Sequence, residues 1–194
     1  MKIDLRFLNR PIEDLWCQAV VLLVFQNPSI VNDVLSNIND KMGGSLSDLL
    51  NKGVWTGERG ENLLLATQGA IRADRLLMRG LGPEGVFDNG VLIKEVSATG
   101  SVLDQMGVRE FGINVPSAVD RDSEYGMYIE NVATSLVEVF YDKHKDDPEF
   151  LLKIFFSIDN NFMNIVGQVI TRLRGNLRPG LDFSIISDSQ RNMD

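Results

Sequence analysis

The sequence contains one cysteine, Cys17, and one histidine, His144, among its 194 residues. A single cysteine cannot form an internal disulfide, and these two residues cannot supply the ligands of a structural zinc site. The composition therefore excludes disulfide-rich secreted domains and zinc fingers. A reducing, cytoplasmic compartment fits this residue usage.

Basic residues are scarce, since 19 Lys and Arg stand against 27 Asp and Glu and give a net charge of -8. Such a chain repels phosphate backbones unless a local basic patch intervenes. The densest basic stretch, residues 172–178, falls where a helical pattern ends, and cations at that position complement the helix dipole. We therefore expect no nucleic-acid partner.

Long apolar runs are also missing. The most apolar segment, residues 15–25, is interrupted by Gln18 and is shorter than the ~20 residues that span a bilayer. Acidic residues precede it and no small-residue cleavage site follows, so it does not match a signal peptide. We interpret residues 19–25 as a buried central strand and expect no membrane partner.

Apolar periodicity predicts strands that alternate with helices. The predicted strands cover residues 1–8, 19–25, 63–67, 75–78, 111–115, 150–158 and 181–186. The predicted helices cover residues 29–41, a short segment from 45, about 85–106, a segment between 122 and 145, and 162–173. The alternation in residues 1–8 is typical of a half-buried edge strand. The order of elements predicts an α/β fold with a layered sheet.

Capping signals predict where the helices begin and end. Gly43 and Gly44 are expected to end the first helix, and Ser45 is expected to cap the second, because its spacing to Asp48 matches a capping box. Asn160 or Asn161 is expected to cap the last helix, and Gly175 to end it. These signals lie in the segments that connect the predicted elements.

Four motifs follow one another in a definite order. The turn Thr-Gly-Glu-Arg-Gly-Glu-Asn at residues 56–62 leads into the Leu-rich strand 63–65. Arg-Gly-Leu-Gly ends the next strand at residues 79–82. Met-Gly-Val-Arg at residues 106–109 precedes a strand that ends with Asn-Val-Pro at 114–116.

This order resembles the N-terminal, macro-like domain of the leucine aminopeptidase (cytosol aminopeptidase) family. The resemblance rests on motifs over roughly residues 20–116 and on the order of elements as far as about residue 175. It implies a macro-like three-layer α/β/α sandwich with a mixed, mostly parallel central sheet. We expect one such domain over residues 1–187 and a mobile polar tail over residues 188–194.

In that family the metallopeptidase chemistry belongs to a separate domain, whose metal ligands cluster in an Asn-Thr-Asp-Ala-Glu-Gly-Arg-type motif. No such motif occurs in this sequence. The resemblance therefore implies a stand-alone domain without the catalytic domain. We expect no catalytic residue, no metal ligand and no cofactor.

Macro domains proper bind ADP-ribose through loops whose backbone N–H groups face phosphate. The corresponding positions here are Asn27 in a Gln-Asn-Pro turn, Gly43, Gly44 and Ser45 between two helices, and Ser117 after a strand. We expect these three segments to lie on one rim of the sheet. Each segment also has a structural interpretation as a turn, a helix end or a strand exit, and taken singly that interpretation is favoured.

Other residues that carry chemistry are interpreted as structural. Cys17 lies beside an apolar strand with no histidine near it in sequence, which indicates an inert core thiol. Trp16 and Trp55 are expected to be buried or half-buried. Tyr125 and Tyr128 share one helical region and are expected to pack on its apolar side.

Three functions stay open on these observations. The first is a non-catalytic interaction or small-ligand-binding module. The second is a reader or hydrolase of ADP-ribose or a related nucleotide. The third is a regulatory partner of a separate metallo-aminopeptidase domain. The expected partner is accordingly a protein or a small phosphate-bearing ligand.

Overall fold

The computed structural model describes residues 1–28, 33–116, 122–177 and 181–188. The strands are β1 (Lys2–Leu8), β2 (Ala19–Phe25), β3 (Asn62–Ala66), β4 (Arg75–Gly82), β5 (Glu110–Asn114), β6 (Leu151–Ser157) and β7 (Asp182–Ser187). The helices are α1 (Asp33–Lys41), α2 (Ser45–Asn51), α3 (Asn89–Gln105), α4 (Asp122–His144) and α5 (Met163–Asn176). Short 3₁₀ turns cover Ile12–Asp14, Glu84–Val86 and Asn160–Phe162.

The described strands form one sheet in the order β3-β4-β2-β5-β6-β1-β7. Every neighbouring pair is parallel except β3 and β4, which are antiparallel. Parallel neighbours require crossover connections, and the helices between consecutive strands supply them. The mixed, mostly parallel sheet predicted above is confirmed.

Both faces of the sheet are covered, as the sequence of β2 illustrates. Val21 and Leu23 point into a large core shared with α3, α4 and α5. Val20 and Leu22 point into a smaller core shared with α1, α2 and Trp55. Burial of each such side chain contributes about 1.5–3 kcal/mol, so an apolar run without alternation is stable only between two layers. The prediction of a central strand and of a three-layer α/β/α sandwich is confirmed.

The prediction that residues 1–8 form an edge strand is wrong. β1 lies between β6 and β7 and pairs with both in parallel. Its polar side chain Asp4 is buried and is satisfied by Arg6 at 2.7 Å and by the hydroxyl of Ser184 at 3.1 Å. Period-2 alternation reports which faces of a strand are buried, whereas the position within the sheet depends on strands far away in sequence.

Three predicted helix ends differ from the structure. Ser45 is the first residue of α2, and the cap position belongs to Gly44 in the left-handed conformation. The acceptor for the start of α2 comes instead from Asn39, whose Oδ1 accepts the N–H of Ser47 at 2.9 Å. Gly175 lies within α5 rather than after it. The side chain of Asp159, not an asparagine, caps the 3₁₀ turn that precedes α5.

The carboxyl-terminal end of the described chain packs beside β1 and the residue that follows it. Ser187 belongs to β7 and is buried. Asp188 accepts the backbone N–H of Asn9 at 3.1 Å. Residues 189–194 of the predicted tail lie outside the described residues, and the domain boundary at 187 stays a prediction. None of the helices among the described residues is long and apolar enough to cross a bilayer.

Candidate functional site

A cleft opens at the carboxyl ends of the central strands. β2 leads to α1 on one face of the sheet, whereas its neighbour β5 leads to α4 on the other face. Connections that leave toward opposite faces create a crevice outside the strand ends, where open α/β sheets bind ligands. The cleft has a volume of about 790 Å³. This volume lies within the range of small-molecule sites.

Residues from both halves of the chain line the cleft. One wall consists of β2 and the turn after it, and the opposite wall consists of the end of β5 and the start of α4. The lining side chains in the described parts of the chain come from residues 22–28, 34–35, 84, 114–116, 125, 159, 161 and 162. The cleft therefore depends on the packing of segments that are far apart in sequence.

The turn after β2 is held in place by the loop at residues 56–61. The N–H of Asn27 donates to the carbonyl of Thr56 at 2.8 Å. Asn27 has a φ of 54°, a conformation uncommon for residues other than glycine. A Cβ atom on Gly57 would stand 2.7 Å from the carbonyl oxygen of Phe25. Glycine is therefore required at position 57 for the loop to approach the strand end.

The same loop is organised by Glu61. Its Oε2 atom accepts the backbone N–H groups of Thr56, Gly57 and Glu58 at 3.0, 3.0 and 3.2 Å. It also accepts the hydroxyl of Thr56 at 3.1 Å. Converging backbone amides form the kind of concave site that binds anions, and here an internal carboxylate fills it. Glu61 thereby supports the wall of the cleft through the turn that holds Asn27.

Tyr125 and Phe162 form an aromatic floor. Their ring centroids lie 4.2 Å apart, and the hydroxyl of Tyr125 donates to the carbonyl of Val115 at 3.4 Å. Burial, with a contribution from the negative charge of Asp159, raises the pKa of the Tyr125 phenol above its ordinary value. The hydroxyl is therefore a neutral hydrogen-bond donor at physiological pH.

The charged side chains of the cleft are acidic. Glu84 and Asp159 line it, and within the described chain no lysine or arginine does. These two carboxylates disfavour an anion bound beside them. Neutral hydrogen-bonding groups come from the side-chain amides of Gln26, Asn27, Asn114 and Asn161.

The predicted binding residues that the structure describes, Asn27 and the Gly43-Gly44-Ser45 segment, lie apart. Asn27 lies in the wall of the cleft. Ser117 lies outside the described residues. Gly43, Gly44 and Ser45 follow the carboxyl end of α1, whereas the amino end of α1 lines the cleft. A helix of 9 residues, about 13 Å long, separates the two ends.

The prediction that all three segments share one rim is therefore wrong for the Gly43-Gly44-Ser45 segment. Lys41, at the end of α1, pairs with Asp14 at 2.9 Å, and Asp14 precedes the amino end of β2. The segment consequently lies near the amino ends of the strands, whereas the cleft lies at their carboxyl ends.

The Gly43-Gly44-Ser45 segment has a local structural role. Gly43 and Gly44 have φ values of 63° and 83°, and the N–H of Gly44 donates to the carbonyl of Asn39 at 2.9 Å. The hydroxyl of Ser45 donates to the carbonyl of Met42 at 2.7 Å. These contacts satisfy the carbonyls at the end of α1, as the glycine pair indicated. A ligand-binding role for the segment stays a prediction.

Cys17 and His144 both make structural contacts. The thiol of Cys17 donates to the carbonyl of Ala19 at 3.1 Å, and burial raises its pKa to about 11. The thiolate is the reactive form of cysteine, so burial disfavours the reactive form of Cys17 at neutral pH. His144 stacks on Phe150 with ring centroids 3.8 Å apart. Over the described ranges, no three His, Cys, Asp or Glu side chains converge in a way that would hold a metal ion.

Trp16 differs from its prediction. Its side chain is 69% exposed, and the guanidinium carbon of Arg72 lies 4.8 Å from its ring centroid, within the distance of a cation–π contact. Trp55 is buried, as predicted.

Most of the cleft lining is not predicted by the sequence pattern. Tyr125 was expected only to pack on its helix, and Phe162 only to belong to the apolar stripe of α5. Asn114 and Asp159 lie at or just after the carboxyl ends of β5 and β6. Polar residues at these positions are a usable signal, because the carboxyl ends of neighbouring parallel strands meet at one edge of the sheet.

The layers, the strand order and the cleft define a macro-like α/β/α domain. The sequence model of the cytosol aminopeptidase family, N-terminal domain, matches residues 21–145. The chain belongs to this family. The match includes most of β2 and all of β3, β4 and β5, and it spans the motifs that carry the resemblance.

Curated relatives share this region. A probable cytosol aminopeptidase from Halorhodospira halophila is 34% identical over 107 residues, which are 54% of this chain and 21% of the relative. A probable cytosol aminopeptidase from Pseudomonas syringae pv. tomato is 26% identical over 183 residues, which are 84% of this chain and 36% of the relative. The chain thus spans between 21% and 36% of the length of these two relatives.

Solved structures share the fold at low sequence identity. A mutant of tomato leucine aminopeptidase matches with a TM-score of 0.66 and 12% identity, over 89% of this chain and 36% of that chain. A Trypanosoma brucei macrodomain in complex with ADP-ribose matches with a TM-score of 0.60 and 17% identity, over 87% of this chain and 68% of that chain. These matches establish the macro-like architecture.

Proposed function

We propose that the chain is a non-catalytic module that binds a small ligand in the cleft between the carboxyl ends of β2 and β5. The observation that supports this proposal is the cleft. It has a volume of about 790 Å³ and lies where the sheet connections leave toward opposite faces. Concave sites of this size at such a switch point of an α/β sheet are typical of ligand binding.

The lining favours a neutral, planar ligand with hydrogen-bonding edges. Side-chain amides both donate and accept hydrogen bonds, so they pair with either kind of polar group on a neutral ligand. Phe162, whose ring packs on the buried Tyr125, offers a partly exposed apolar surface for stacking. The carboxylates of Glu84 and Asp159 disfavour a negatively charged group. A nucleoside has these properties, and a polyphosphate does not.

A nucleotide of the ADP-ribose type is the second candidate. The observation that favours it is the shared fold with the T. brucei macrodomain in complex with ADP-ribose. The base and riboses of such a ligand suit the amides and the Phe162 ring of the cleft, whereas a diphosphate near Glu84 or Asp159 would be repelled by their carboxylates. Comparing adenosine with ADP-ribose therefore separates the two candidates. Tighter binding of adenosine supports the first candidate, and tighter binding of ADP-ribose supports the second.

Thermal-shift measurements followed by calorimetry test the proposal with adenosine, ADP-ribose and inorganic phosphate as probes. A ligand present at about 100 times its Kd stabilises the protein by ~2.7 kcal/mol, which raises its Tm. No stabilisation and no heat from adenosine or ADP-ribose, while a control macrodomain binds ADP-ribose under the same conditions, would contradict both candidates.

A pair of glycine substitutions localises the binding site. Asn27 and Gln68 both have positive φ values, 54° and 53°, so glycine preserves the backbone at either position. Asn27→Gly removes an amide from the cleft and is expected to weaken binding roughly tenfold, whereas Gln68→Gly, outside the cleft, is not. Equal affinity of the two variants would place the ligand elsewhere.

A further inference from the structure

One edge of the sheet is formed by an apolar strand. β3 occupies the end of the strand order and pairs with β4 on its inner side, and no strand of the described chain pairs with its outer side. Its sequence, Asn-Leu-Leu-Leu-Ala, contains no charged residue and no proline. Exposed edges usually carry charges, prolines or bulges that prevent pairing with another chain. β3 has none of these within its five residues.

The register of the ladder shows which backbone groups face outward. The N–H of Gly80 donates to the carbonyl of Glu61 at 2.9 Å, and the N–H of Thr67 donates to the carbonyl of Asp74 at 3.1 Å. In an antiparallel pair, hydrogen-bonded positions alternate along the strand. Odd-numbered residues of β3 therefore bond to β4. The N–H and C=O groups of Asn62, Leu64 and Ala66 point to the open edge.

The central outward position also carries an exposed apolar side chain. Leu64 is opposite Leu77 in the ladder, and its side chain lies on the same face of the sheet as α3. Leu64 is 49% exposed. Its neighbours Leu63 and Leu65 point to the other face, where they pack against the smaller core. Leu64 is thus free to contact a partner strand.

The first residue of β3 is anchored by side chains of β4 and α3. Arg79 of β4 donates to the side-chain oxygen of Asn62 at 3.0 Å, and the same guanidinium is bound by Glu95 of α3. A preformed edge loses little conformational freedom when another strand is added to it.

We propose that two copies of the chain associate through β3, as an antiparallel pair with a two-fold axis at Leu64. The outward backbone groups are distributed symmetrically about Leu64, so the strand is complementary to itself. In this register, Leu64 faces Leu64 of the second copy, and Asn62 faces Ala66. No like charges meet within the strand. The two sheets then continue across the interface, which is isologous.

Disulfide trapping tests the register in the full chain with Cys17→Ala as background. In the proposed pair, the Cα atoms at position 64 lie about 5.5 Å apart, which suits a disulfide. The Cα atoms at position 66 lie roughly 14 Å apart, which does not. Leu64→Cys is therefore expected to give a covalent dimer under mild oxidation, and Ala66→Cys a monomer. A dimer from Ala66→Cys with none from Leu64→Cys would overturn the register.

Sedimentation at increasing protein concentration tests the interface without a cross-link. The parent chain is expected to be in monomer–dimer equilibrium. Leu64→Lys places two ammonium groups opposite each other and is expected to raise the dimer Kd roughly tenfold or more. The matched control is Ile186→Lys, an exposed residue on β7 at the other edge of the sheet, which is expected to leave the Kd unchanged.

Two results of the sedimentation experiment would contradict the proposal. A parent chain that stays monomeric at every concentration would exclude the interface. A dimer that Leu64→Lys leaves intact would place the interface on another surface. Urea unfolding of each variant confirms that the substitutions act on association, since Leu64 and Ile186 are both exposed and their replacement should leave monomer stability nearly unchanged.

Discussion

Glu95 of α3 and Arg79 of β4 form a buried ion pair with two hydrogen bonds. Oε2 of Glu95 accepts Nε of Arg79 at 2.9 Å and Nη2 at 2.6 Å. The two residues are 2% and 8% exposed. Arg79 also donates to Asn62 of β3. The arginine of the Arg-Gly-Leu-Gly motif thus joins a helix, an inner strand and the edge strand.

Removing one partner of this ion pair should lower the free energy of unfolding substantially. Glu95→Ala leaves a buried guanidinium without its counter-charge and is expected to lower the free energy of unfolding by about 3–5 kcal/mol. The double variant Arg79→Met, Glu95→Leu removes both charges and should lose much less. Urea unfolding of the three proteins measures both effects. A Glu95→Ala variant as stable as the parent would contradict the role assigned to the pair.

Glu61 should be important for both stability and ligand binding. Glu61→Ala leaves the N–H groups of Thr56, Gly57 and Glu58 without their acceptor and is expected to cost about 1–3 kcal/mol. The same loop holds Asn27 in the cleft wall, so binding in the cleft should weaken as well. Glu58→Ala removes an exposed carboxylate from the same loop. It is the control that measures the effect of losing a negative charge without losing the hydrogen-bond acceptor. If the two variants unfold at the same urea concentration, the hydrogen-bonding role of Glu61 is refuted.

The acid stability of the protein should depend on Asp104. Its Oδ2 accepts Nζ of Lys143 at 2.9 Å, and its Oδ1 lies 2.6 Å from Nε2 of His144. Burial opposes ionisation, but the hydrogen bonds and charges of Lys143 and His144 outweigh it and hold the pKa of Asp104 below its ordinary value.

The sign of this effect follows from linkage. A carboxyl group whose pKa is lower in the folded state stabilises the fold above its unfolded pKa, about 3.9, and this stability is lost as pH falls through the folded pKa. Asp104→Asn should therefore be less stable than the parent at pH 6, and the difference should shrink below about pH 4. Unfolding free energies measured across this pH range check the prediction, and a difference that does not change with pH would disprove it.

The isolated chain should not hydrolyse leucyl anilides when Zn²⁺ or Mn²⁺ is added. Two-metal hydrolysis requires several carboxylates fixed around ions about 3.5–4 Å apart. The described residues contain no converging group of metal ligands, and the family match is to an N-terminal domain. Metal-dependent leucine release that is abolished by a chelator and co-purifies with the protein would show that this expectation is wrong.

The sequence by itself determined the class of fold and the family. The run Ala19–Phe25 has no polar alternation, so it had to lie between two layers, and the structure places it in the interior of the sheet, between β4 and β5. The motifs at residues 56–62 and 79–82 also determine local geometry. Their glycines allow close backbone approach, which depends on residue type and not on distant partners.

The tertiary structure alone decided where the elements and the site residues lie. β1 is an inner strand because β6 and β7, from the distant end of the chain, pair on both of its sides. Asn27 and Tyr125 meet at one cleft, whereas Gly43 and Gly44 are carried away from it by the length of α1. Local sequence patterns report burial and backbone conformation, but contacts between distant segments arise only when the layers pack together.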